Sequence, residues 1–555
     1  MNKSVRLDFS FDRLVQTAEK LIDAHDYLGA LKILNKNAEL NEDLGYAHLL
    51  YAQIFDDIGL FERSINEWFK FLAYSDYKTE EDLSDAYEGL AVGFMNIGND
   101  QFSAYYYNKL LGTSMDIGAE MRYDIMENFL SREENPLKFV YPPEIADYSS
   151  TISSGISLMK TGDFSKAIEE FEKVDSRNKE YVTAQNYVAM SYIIDDNCEK
   201  AEEVCRGILK IKPDDVHALT TLVAVKTEQK KHEESKQLAQ KLLSLDIKSP
   251  DDIFKIATVC CENEMHEDAY NLLDKLDEKL PYDSSVLYFK AIAAFNCGKY
   301  DKCFAAFDRL LTVNPNAVTA KYFREAARIA VNNGDTTPMS YFYRLPQNER
   351  ETSVKILAAM GSLTPAQIRK AFDEVDISDC VRWCFDESEG TNNSELQFLG
   401  ALCAVRGGLD NLVSDILLNA FLEDELKIKV LTELGLRNED RKASVVICNV
   451  LKDLQFKHLN LGRAKRKPFI QAYSTLTAHF ALLDGKLSKK FAVSAENLYN
   501  RLEQEQRLSF VANSSELAAA ILLNSKVKLP RLSKRNDICK YFRADGNEIF
   551  DIYGV

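Results

Sequence analysis

Five small residues recur in this chain at a constant spacing of 34. They are Ala167, Ala201, Ser235, Ala269 and Cys303. A fixed period of this length that carries helical patterning is typical of stacked helix pairs, in which each pair buries its apolar face on its neighbours. A chain of 555 residues is too long for one hydrophobic core, but a stack has no such limit because each repeat needs only its neighbours. The period therefore predicts a helical solenoid.

The residues around these positions indicate how each unit is built. Gly162 and Gly298 stand where one helix ends and the turn needs a positive φ. The small residue that follows lets the next helix approach closely. A proline then follows the small residue at the same offset in three repeats, at Pro213, Pro281 and Pro315, where it cannot continue a helix. Each unit is thus predicted to be a helix A, a tight turn, a helix B and a closing turn.

These features resemble the tetratricopeptide repeat family over roughly residues 8–346. Ala30 and Ser64 repeat the small-residue position at a spacing of 34, and the register then slips because Ser103 follows Ser64 at a spacing of 39. The resemblance implies an all-α solenoid. It also implies that helix A of each repeat lines a concave groove that binds another protein.

The breaks in the period divide the chain into five predicted segments. These are about three repeats in 1–130, a proline-containing junction in 131–147, a second array of five to six repeats in 148–346, a helical extension in 347–440 and a basic helical module in 441–555. Pro338 interrupts helix B of the last repeat. In the extension, Asp410–Leu422 and Glu425–Leu436 resemble one HEAT-type helix pair, with a generic helical hairpin as the alternative. The predicted fold class is all-α throughout.

The side chains that the resemblance places in the groove of the second array are mostly apolar or aromatic. They are Ile152, Ile156, Asn186, Met190, Phe254, Tyr288, Ile292 and Tyr322. Such a groove suits an amphipathic helix or an extended apolar segment of a partner protein. The alternative is that some of these side chains pack between neighbouring repeats. The first hypothesis is therefore a scaffold or adaptor that binds a protein segment.

Charge separates the last part of the chain from the rest. Residues 441–555 hold 20 Lys and Arg against 10 Asp and Glu, a net charge of +10, so residues 1–440 carry −28 of the total of −18. Such asymmetry indicates an anionic partner, which could be nucleic acid, an acidic protein or the acidic array itself. The candidate residues are Arg463, Lys465, Arg466, Lys467, Lys526, Lys528, Arg531, Lys534 and Arg535. A nucleic-acid-associated regulator is therefore the alternative function.

The end of the chain also resembles a helix-turn-helix, or the end of a cyclin-type repeat of transcription factor IIB. Ser533, Ile538, Cys539, Ile549 and Tyr553 follow the order of that pattern. The segment that would read DNA, 547–553, carries two carboxylates and no Lys or Arg. Because phosphate attraction supplies most of the affinity for DNA, this composition favours a role in packing or protein contact.

Catalytic and targeting patterns are missing. The sequence has no phosphate-binding glycine loop, HExxH, GxSxG or paired-cysteine zinc framework, so we predict no enzymatic activity, no cofactor, no metal and no small-molecule substrate. Its 11 cysteines take packing positions or stand alone, which predicts reduced core residues in a reducing compartment. Residues 1–13 lack a secretory apolar stretch, and no run approaches the roughly 20 apolar residues that span a bilayer. We expect a cytoplasmic protein without membrane contact.

Overall fold

The computed structural model describes residues 11–40, 45–74, 79–113, 149–160, 162–176, 178, 180–374, 377–386, 394–482, 484–511, 514–529, 532 and 534–554. Two compact units emerge. The first combines the described parts of 1–134 and 345–555, and the second comprises those of 135–344. The predicted junction at 131–147 lies outside the described residues.

The N-terminal part of the first unit consists of three helix pairs. Its helices are α1 (Phe11–Asp23), α2 (Tyr27–Leu40), α3 (Gly45–Asp57), α4 (Phe61–Tyr74), α5 (Glu80–Asn96) and α6 (Asp100–Leu111). The helix B of each pair begins at residue 27, 61 or 100. The second interval is longer than the first, which matches the register slip that the sequence predicts.

The second unit is a longer series of the same helix pairs. Its helices are α7 (Ser149–Lys160), α8 (Phe164–Phe171), α9 (Tyr181–Ile194), α10 (Cys198–Ile211), α11 (Val216–Glu228), α12 (His232–Leu243), α13 (Pro250–Glu262), α14 (His266–Lys279), α15 (Ser284–Asn296), α16 (Tyr300–Val313) and α17 (Val318–Asn333). Helices B begin at residues 198, 232, 266 and 300, and helices A at 216, 250, 284 and 318, so both series advance by 34. The period is confirmed helix by helix.

The small residues lie where the two helices of a pair meet. All five of the repeated positions in the second unit, from Ala167 to Cys303, are fully buried, and so are Ala30, Ser64 and Ser103 in the first. A larger side chain at any of them would push helix B away from its neighbours. The spacing of small residues is therefore a packing requirement.

The turn between helices A and B takes a positive φ whether or not glycine is present. Gly162 and Gly298 have φ of 80° and 71°, and Asp196, Lys230 and Glu264 occupy the same slot with φ of 55°, 59° and 57°. A side chain in the left-handed region costs roughly 1 kcal/mol. The fold thus imposes the turn, even on the repeats that have lost glycine.

The last repeat lacks a helix B. After α17, Gly334 (φ 68°) ends the helix, and the chain continues without helical structure as far as Pro346. Pro338 lies in this stretch, in agreement with the predicted interruption. We call residues 335–344 the strap.

Most of the described C-terminal part of the first unit is helical. Its helices are α18 (Gln347–Gly361), α19 (Pro365–Glu374), α20 (Ser378–Trp383), α21 (Ser394–Gly407), α22 (Asp410–Leu418), α23 (Asp424–Gly435), α24 (Arg466–Phe480), α25 (Lys486–Gln504), α26 (Ser514–Asn524), α27 (Arg535–Phe542) and α28 (Gly546–Tyr553). Between α23 and α24, β1 (Arg441–Ile447) and β2 (Val450–Phe456) form an antiparallel hairpin that pairs Arg441 with Phe456.

This hairpin corrects the expectation that residues 441–555 are wholly helical. Val445, Val446, Leu454 and Phe456 are buried, and β-branched residues at neighbouring positions favour a strand. The predicted HEAT-type helices are present as α22 and α23, but α23 packs mainly on α21 and α24, whereas α22 packs on β1, α21 and α4. The overall class, an all-α repeat fold with very little sheet, is confirmed.

The C-terminal part contacts the helices B of the N-terminal repeats. Lys70 on α4 lies 2.9 Å from both Glu67 and Asp415, and Asn66 accepts a hydrogen bond from the amide of Ala420 at 2.9 Å. On α6, the hydroxyl of the buried Tyr106 donates to the carbonyl of Asn449 in the hairpin turn at 2.7 Å. These polar contacts tie two distant parts of the chain into one unit.

Opposite charges dominate the ionisation of this half-buried group of Glu67, Lys70 and Asp415. Burial alone would raise the pKa of Glu67, but the positive charges of Lys70 and His48, and their hydrogen bonds, lower it to about 2. Burial alone would lower the pKa of Lys70, but the charges of Asp415 and Glu67 raise it instead. Both groups are therefore charged at neutral pH.

Seven of the eleven cysteines are buried. Burial is the main reason why the pKa of the Cys205, Cys260 and Cys303 thiols rises to about 12, which makes them poor nucleophiles. Cys448 is the exposed member, in the turn of the hairpin. In the part of the chain that is described, no helix has both the length and the apolar character needed to cross a membrane.

Candidate protein-binding face

The strap lies against helix A of the preceding repeat. Asn296, the last residue of α15, forms two hydrogen bonds with the strap backbone at Met339. Its Nδ2 donates to the Met339 carbonyl at 2.9 Å, and its Oδ1 accepts from the Met339 amide at 2.7 Å. Near the start of α15, the hydroxyl of Tyr288 donates to the carbonyl of Phe342 at 3.1 Å. The strap therefore runs antiparallel to α15 and is held by its main chain.

Two tyrosine side chains of the strap add aromatic contacts. The Tyr343 ring meets Tyr288 edge-on at 4.7 Å between centroids. Tyr341 stacks on Phe289 at 6.4 Å, and its hydroxyl lies 2.9 Å from Nδ1 of His266. Burial raises the pKa of Tyr341, so this hydroxyl stays protonated.

The strap side chains alternate between the two sides of its backbone. Met339, Tyr341 and Tyr343 are partly buried, whereas Ser340 and Phe342 are exposed, and Phe342 has 76% of its surface open to solvent. This period of two is that of an extended chain that has one side on a protein surface. The second unit thus binds an extended segment of its own chain.

The predicted groove residues differ widely in exposure. Tyr288 and Ile292 on α15 are buried, which corrects the expectation that they are open to a partner in this conformation. Asn186 is half-buried and donates to the Asp215 carboxylate at 3.1 Å. Met190, by contrast, has 43% of its surface exposed.

The remaining groove residues pack on their neighbours. Phe254 meets Phe289 edge-on at 5.7 Å, and Tyr322 meets Phe323 at 5.5 Å. Ile152 and Ile156 are half-buried against the hydrophobic cluster that includes Phe171. These four side chains thus contact other side chains of the array.

Helix α9 presents the same three positions as α15, but without a covering segment among the described residues. Asn186, Met190 and Ile194 lie three repeats before Tyr288, Ile292 and Asn296. Met190 and Ile194 expose 43% and 50% of their surfaces. We call Asn186, Met190 and Ile194 the α9 stripe. At the position where Asn296 bonds to the strap, the α9 stripe has the apolar Ile194 instead.

Sequence reasoning missed three of the residues that hold the strap. They are His266, Phe289 and Asn296. Asn296 could have been found, because it lies one helical turn after Ile292 on the same helix face. Only Pro338 and the alternation of side chains from Met339 to Tyr343 could have indicated in the sequence that the strap contacts α15.

One group of potential metal ligands lies on the second unit. His217, Asp251 and Asp252 place one ligand atom each within 4.8 Å of one another. Lys255 occupies the same place, with its Nζ 2.8 Å from Nε2 of His217 and an ion pair to Asp251. His217 and Asp251 are one repeat period apart, so the repeat spacing was the available signal.

The basic residues of the C-terminal part are mostly at the surface. Those that are exposed and make no ion pair with any described residue are Arg463, Lys465, Arg466, Lys467, Lys526, Lys528 and Lys534. Arg535 is half-buried and donates to the carbonyl of Gly546 at 2.7 Å. Arg531 lies outside the described residues. Binding of an anionic partner here stays a prediction.

Two short helices, α27 and α28, lie in the segment that resembles a helix-turn-helix, and Arg543 (φ 51°) lies between them. Ile538, Cys539, Ile549 and Tyr553 are all buried in the C-terminal part, and Arg501 on α25 donates to the carbonyl of Tyr553. Ser533 lies outside the described residues, and Lys534 is the residue before the first helical position. The resembling residues therefore serve packing here.

Together, the helix pairs and their constant period define a tetratricopeptide-like, all-α repeat protein. No protein-family model matches the chain, and no curated protein matches it in sequence.

Two solved structures show what the chain is similar to. The C-terminal part of a TPR repeat-containing protein from Cytophaga hutchinsonii is 14% identical, with 55% of this chain and 96% of that chain covered and a TM-score of 0.17. Yeast Tom70 is 14% identical, with 96% and 95% covered and a TM-score of 0.20. These scores are too low to support any argument about the arrangement of the chain.

Proposed function

We propose that this protein is a protein-interaction scaffold that binds an extended segment of a partner on the helix-A face of its second array, centred on the α9 stripe. One observation carries the proposal: the same face, three repeats further along, already holds an extended segment of the chain. Equivalent positions of a repeat lie on the same face of the array, so a site filled at α15 and left uncovered by the described residues at α9 suggests that α9 receives a segment from outside.

The chemistry of the α9 stripe defines the partner. Met190 and Ile194 offer apolar surface, and methionine adapts readily to different ligand shapes. Exposed carboxylates stand at the corresponding positions of the next two repeats, Glu228 on α11 and Glu262 on α13. The preferred segment is therefore apolar where it meets α9 and neutral or basic further along. We further propose that the protein acts without catalysis in the cytoplasm, where its cysteines would stay reduced.

The test is affinity capture from native lysate with the full chain carrying both Met190→Glu and Ile194→Glu. A charge on each apolar contact leaves an unpaired carboxylate in the interface, so we expect captured partner proteins to fall at least about tenfold relative to the unchanged chain.

The matched control is Ile211→Glu, which changes another exposed isoleucine, 60% open to solvent, at the end of a helix B. It should capture the same partners as the unchanged chain. Equal capture by the double variant and the unchanged chain would reject the α9 stripe as the site.

A further inference from the structure

The contacts of the strap divide into those that hold any peptide and those that select one. Asn296 bonds to the amide and carbonyl of Met339, and Tyr288 bonds to the carbonyl of Phe342. These bonds are available to any residue except a proline at the Met339 position. They fix the direction and depth of a bound segment without reading its sequence.

Selection comes from the aromatic contacts. Tyr341 stacks on Phe289 and reaches His266, and Tyr343 packs edge-on against Tyr288. The residue between them, Phe342, is directed to solvent. The surface over α14 and α15 therefore favours an apolar residue followed by two aromatic residues, each separated by one unrestricted position.

We propose that the strap is an in-cis occupant of a peptide site on α14 and α15, and that it excludes partner segments with this apolar–x–aromatic–x–aromatic pattern until it is displaced. The inference rests on the proposed function, because it assigns regulation to the same helix-A face. It differs in place, since the α9 stripe is a separate part of that face.

Because the strap is covalently joined to its site, it would remain bound in the presence of most competing peptides. A segment joined to its site by a short connection acts at an effective concentration of about 1 mM. A free peptide with identical contacts must exceed that concentration to displace it, whereas a strap that has lost its aromatic contacts competes poorly. The strength of the block is therefore set by Tyr341 and Tyr343.

The experiment uses a fluorescein-labelled synthetic peptide with the sequence of residues 335–344 and measures its anisotropy on titration with the full chain. Three proteins are compared: the unchanged chain, the double variant Tyr341→Ala with Tyr343→Ala, and Phe342→Ala. The double variant should bind the peptide at least about tenfold more tightly than the unchanged chain. Phe342→Ala, which removes an aromatic ring from the exposed side of the strap, should bind like the unchanged chain.

Addition of Asn296→Ala to the double variant should weaken peptide binding about tenfold, because two backbone hydrogen bonds are lost. Equal affinity of the double variant and the unchanged chain, or an equal gain in Phe342→Ala, would overturn the proposal. So would a dimer of the unchanged chain that the double variant converts to monomers, since the strap would then act between copies.

A second measurement keeps the proposal open to refutation if the double variant does not fold. In the unchanged chain, the amide of Met339 should exchange with solvent slowly, and Asn296→Ala should accelerate that exchange at least about tenfold. Exchange at the rate of an unfolded peptide in the unchanged chain would overturn the proposal. None of these measurements involves Met190 or Ile194. A negative result for the strap therefore does not count against the α9 stripe, and a negative result in the lysate capture does not count against the strap.

Discussion

The two repeat arrays are covered on different helices and by different chemistry. In the first unit, the C-terminal part lies on helices B and is held by a half-buried ion pair and polar hydrogen bonds around Lys70 and Tyr106. In the second, the strap lies on a helix A and is held by Asn296 and by aromatic rings. Partly buried charges resist separation because each would lose its partner, whereas neutral contacts with a peptide can be exchanged for the same contacts with another peptide. The comparison suggests a permanent contact in the first unit and an exchangeable one in the second.

Loss of Lys70 should have the largest effect on the first unit. Lys70→Met keeps the volume of the side chain but leaves Glu67 and Asp415 without their cation, so we expect the free energy of unfolding to fall by about 3 kcal/mol. Urea denaturation followed by tryptophan fluorescence is the measurement, because both tryptophans of the chain, Trp68 and Trp383, belong to the first unit.

The control for this change is Lys429→Met. Lys429 forms an exposed pair with Glu425 at 2.9 Å, and such pairs contribute at most about 1 kcal/mol. If both variants lose the same small amount, the ion pair at α4 is not what joins the two parts of the first unit.

Acid should weaken the same contact. The pKa of Glu67 falls from its ordinary value of 4.5 to about 2 in the folded protein. A depressed carboxyl pKa stabilises the fold above pH 4.5, and that contribution is lost as the pH falls toward 2. The difference in unfolding free energy between the unchanged chain and Glu67→Gln should therefore be constant above pH 5 and shrink by about 2 kcal/mol at pH 3. Tryptophan-detected urea denaturation at each pH provides the values.

Glu395→Gln is the comparison for this pH series, since Glu395 is an exposed residue in the first turn of α21. Its difference from the unchanged chain should stay within about 0.5 kcal/mol across the range. A difference for Glu67→Gln that is equally flat would show that this carboxylate does not contribute to the acid sensitivity.

The smallest expected changes in stability come from a buried tyrosine hydroxyl that each unit uses as a hydrogen-bond donor. Tyr106 and Tyr288 are both fully buried, and each donates its hydroxyl to a carbonyl of the covering segment, at 2.7 and 3.1 Å. Removal of either hydroxyl, by Tyr106→Phe or Tyr288→Phe, should cost about 1 kcal/mol. Tyr106→Phe should lower the tryptophan-detected stability, whereas Tyr288→Phe should instead accelerate amide exchange in the strap.

Tyr105→Phe and Tyr300→Phe are the respective controls, because neither hydroxyl makes a hydrogen bond to any described residue. Both should change stability by less than about 0.5 kcal/mol. If Tyr288→Phe destabilised the second unit as a whole without faster exchange in the strap, the strap contact would be part of the core and the contrast between the units would fail.

Sequence reasoning recovered the local design of the repeats well, because that design is set by neighbours along the chain. The small residues at positions such as Ala201 and Cys303, the glycine or left-handed turn at Gly298, and the proline at Pro315 act within a single repeat or between adjacent ones. The same reasoning failed at the hairpin of β1 and β2. The basic residues there, such as Arg441 and Lys442, were assigned to a helical module, and the two short strands were missed. At the candidate site, the sequence predicted that Tyr288 is open to a partner, whereas the structure buries it against the strap.

The sequence alone determined the period, the helix pairs, the buried small residues and the change of charge near residue 440. Only the tertiary structure decided which surfaces those helices leave open, because the deciding contacts join residues that are far apart in the chain. Asp415 meets Lys70, Asn449 meets Tyr106 and Met339 meets Asn296. A repeat pattern states how each unit packs on the next one, but it does not state what lies across the finished surface.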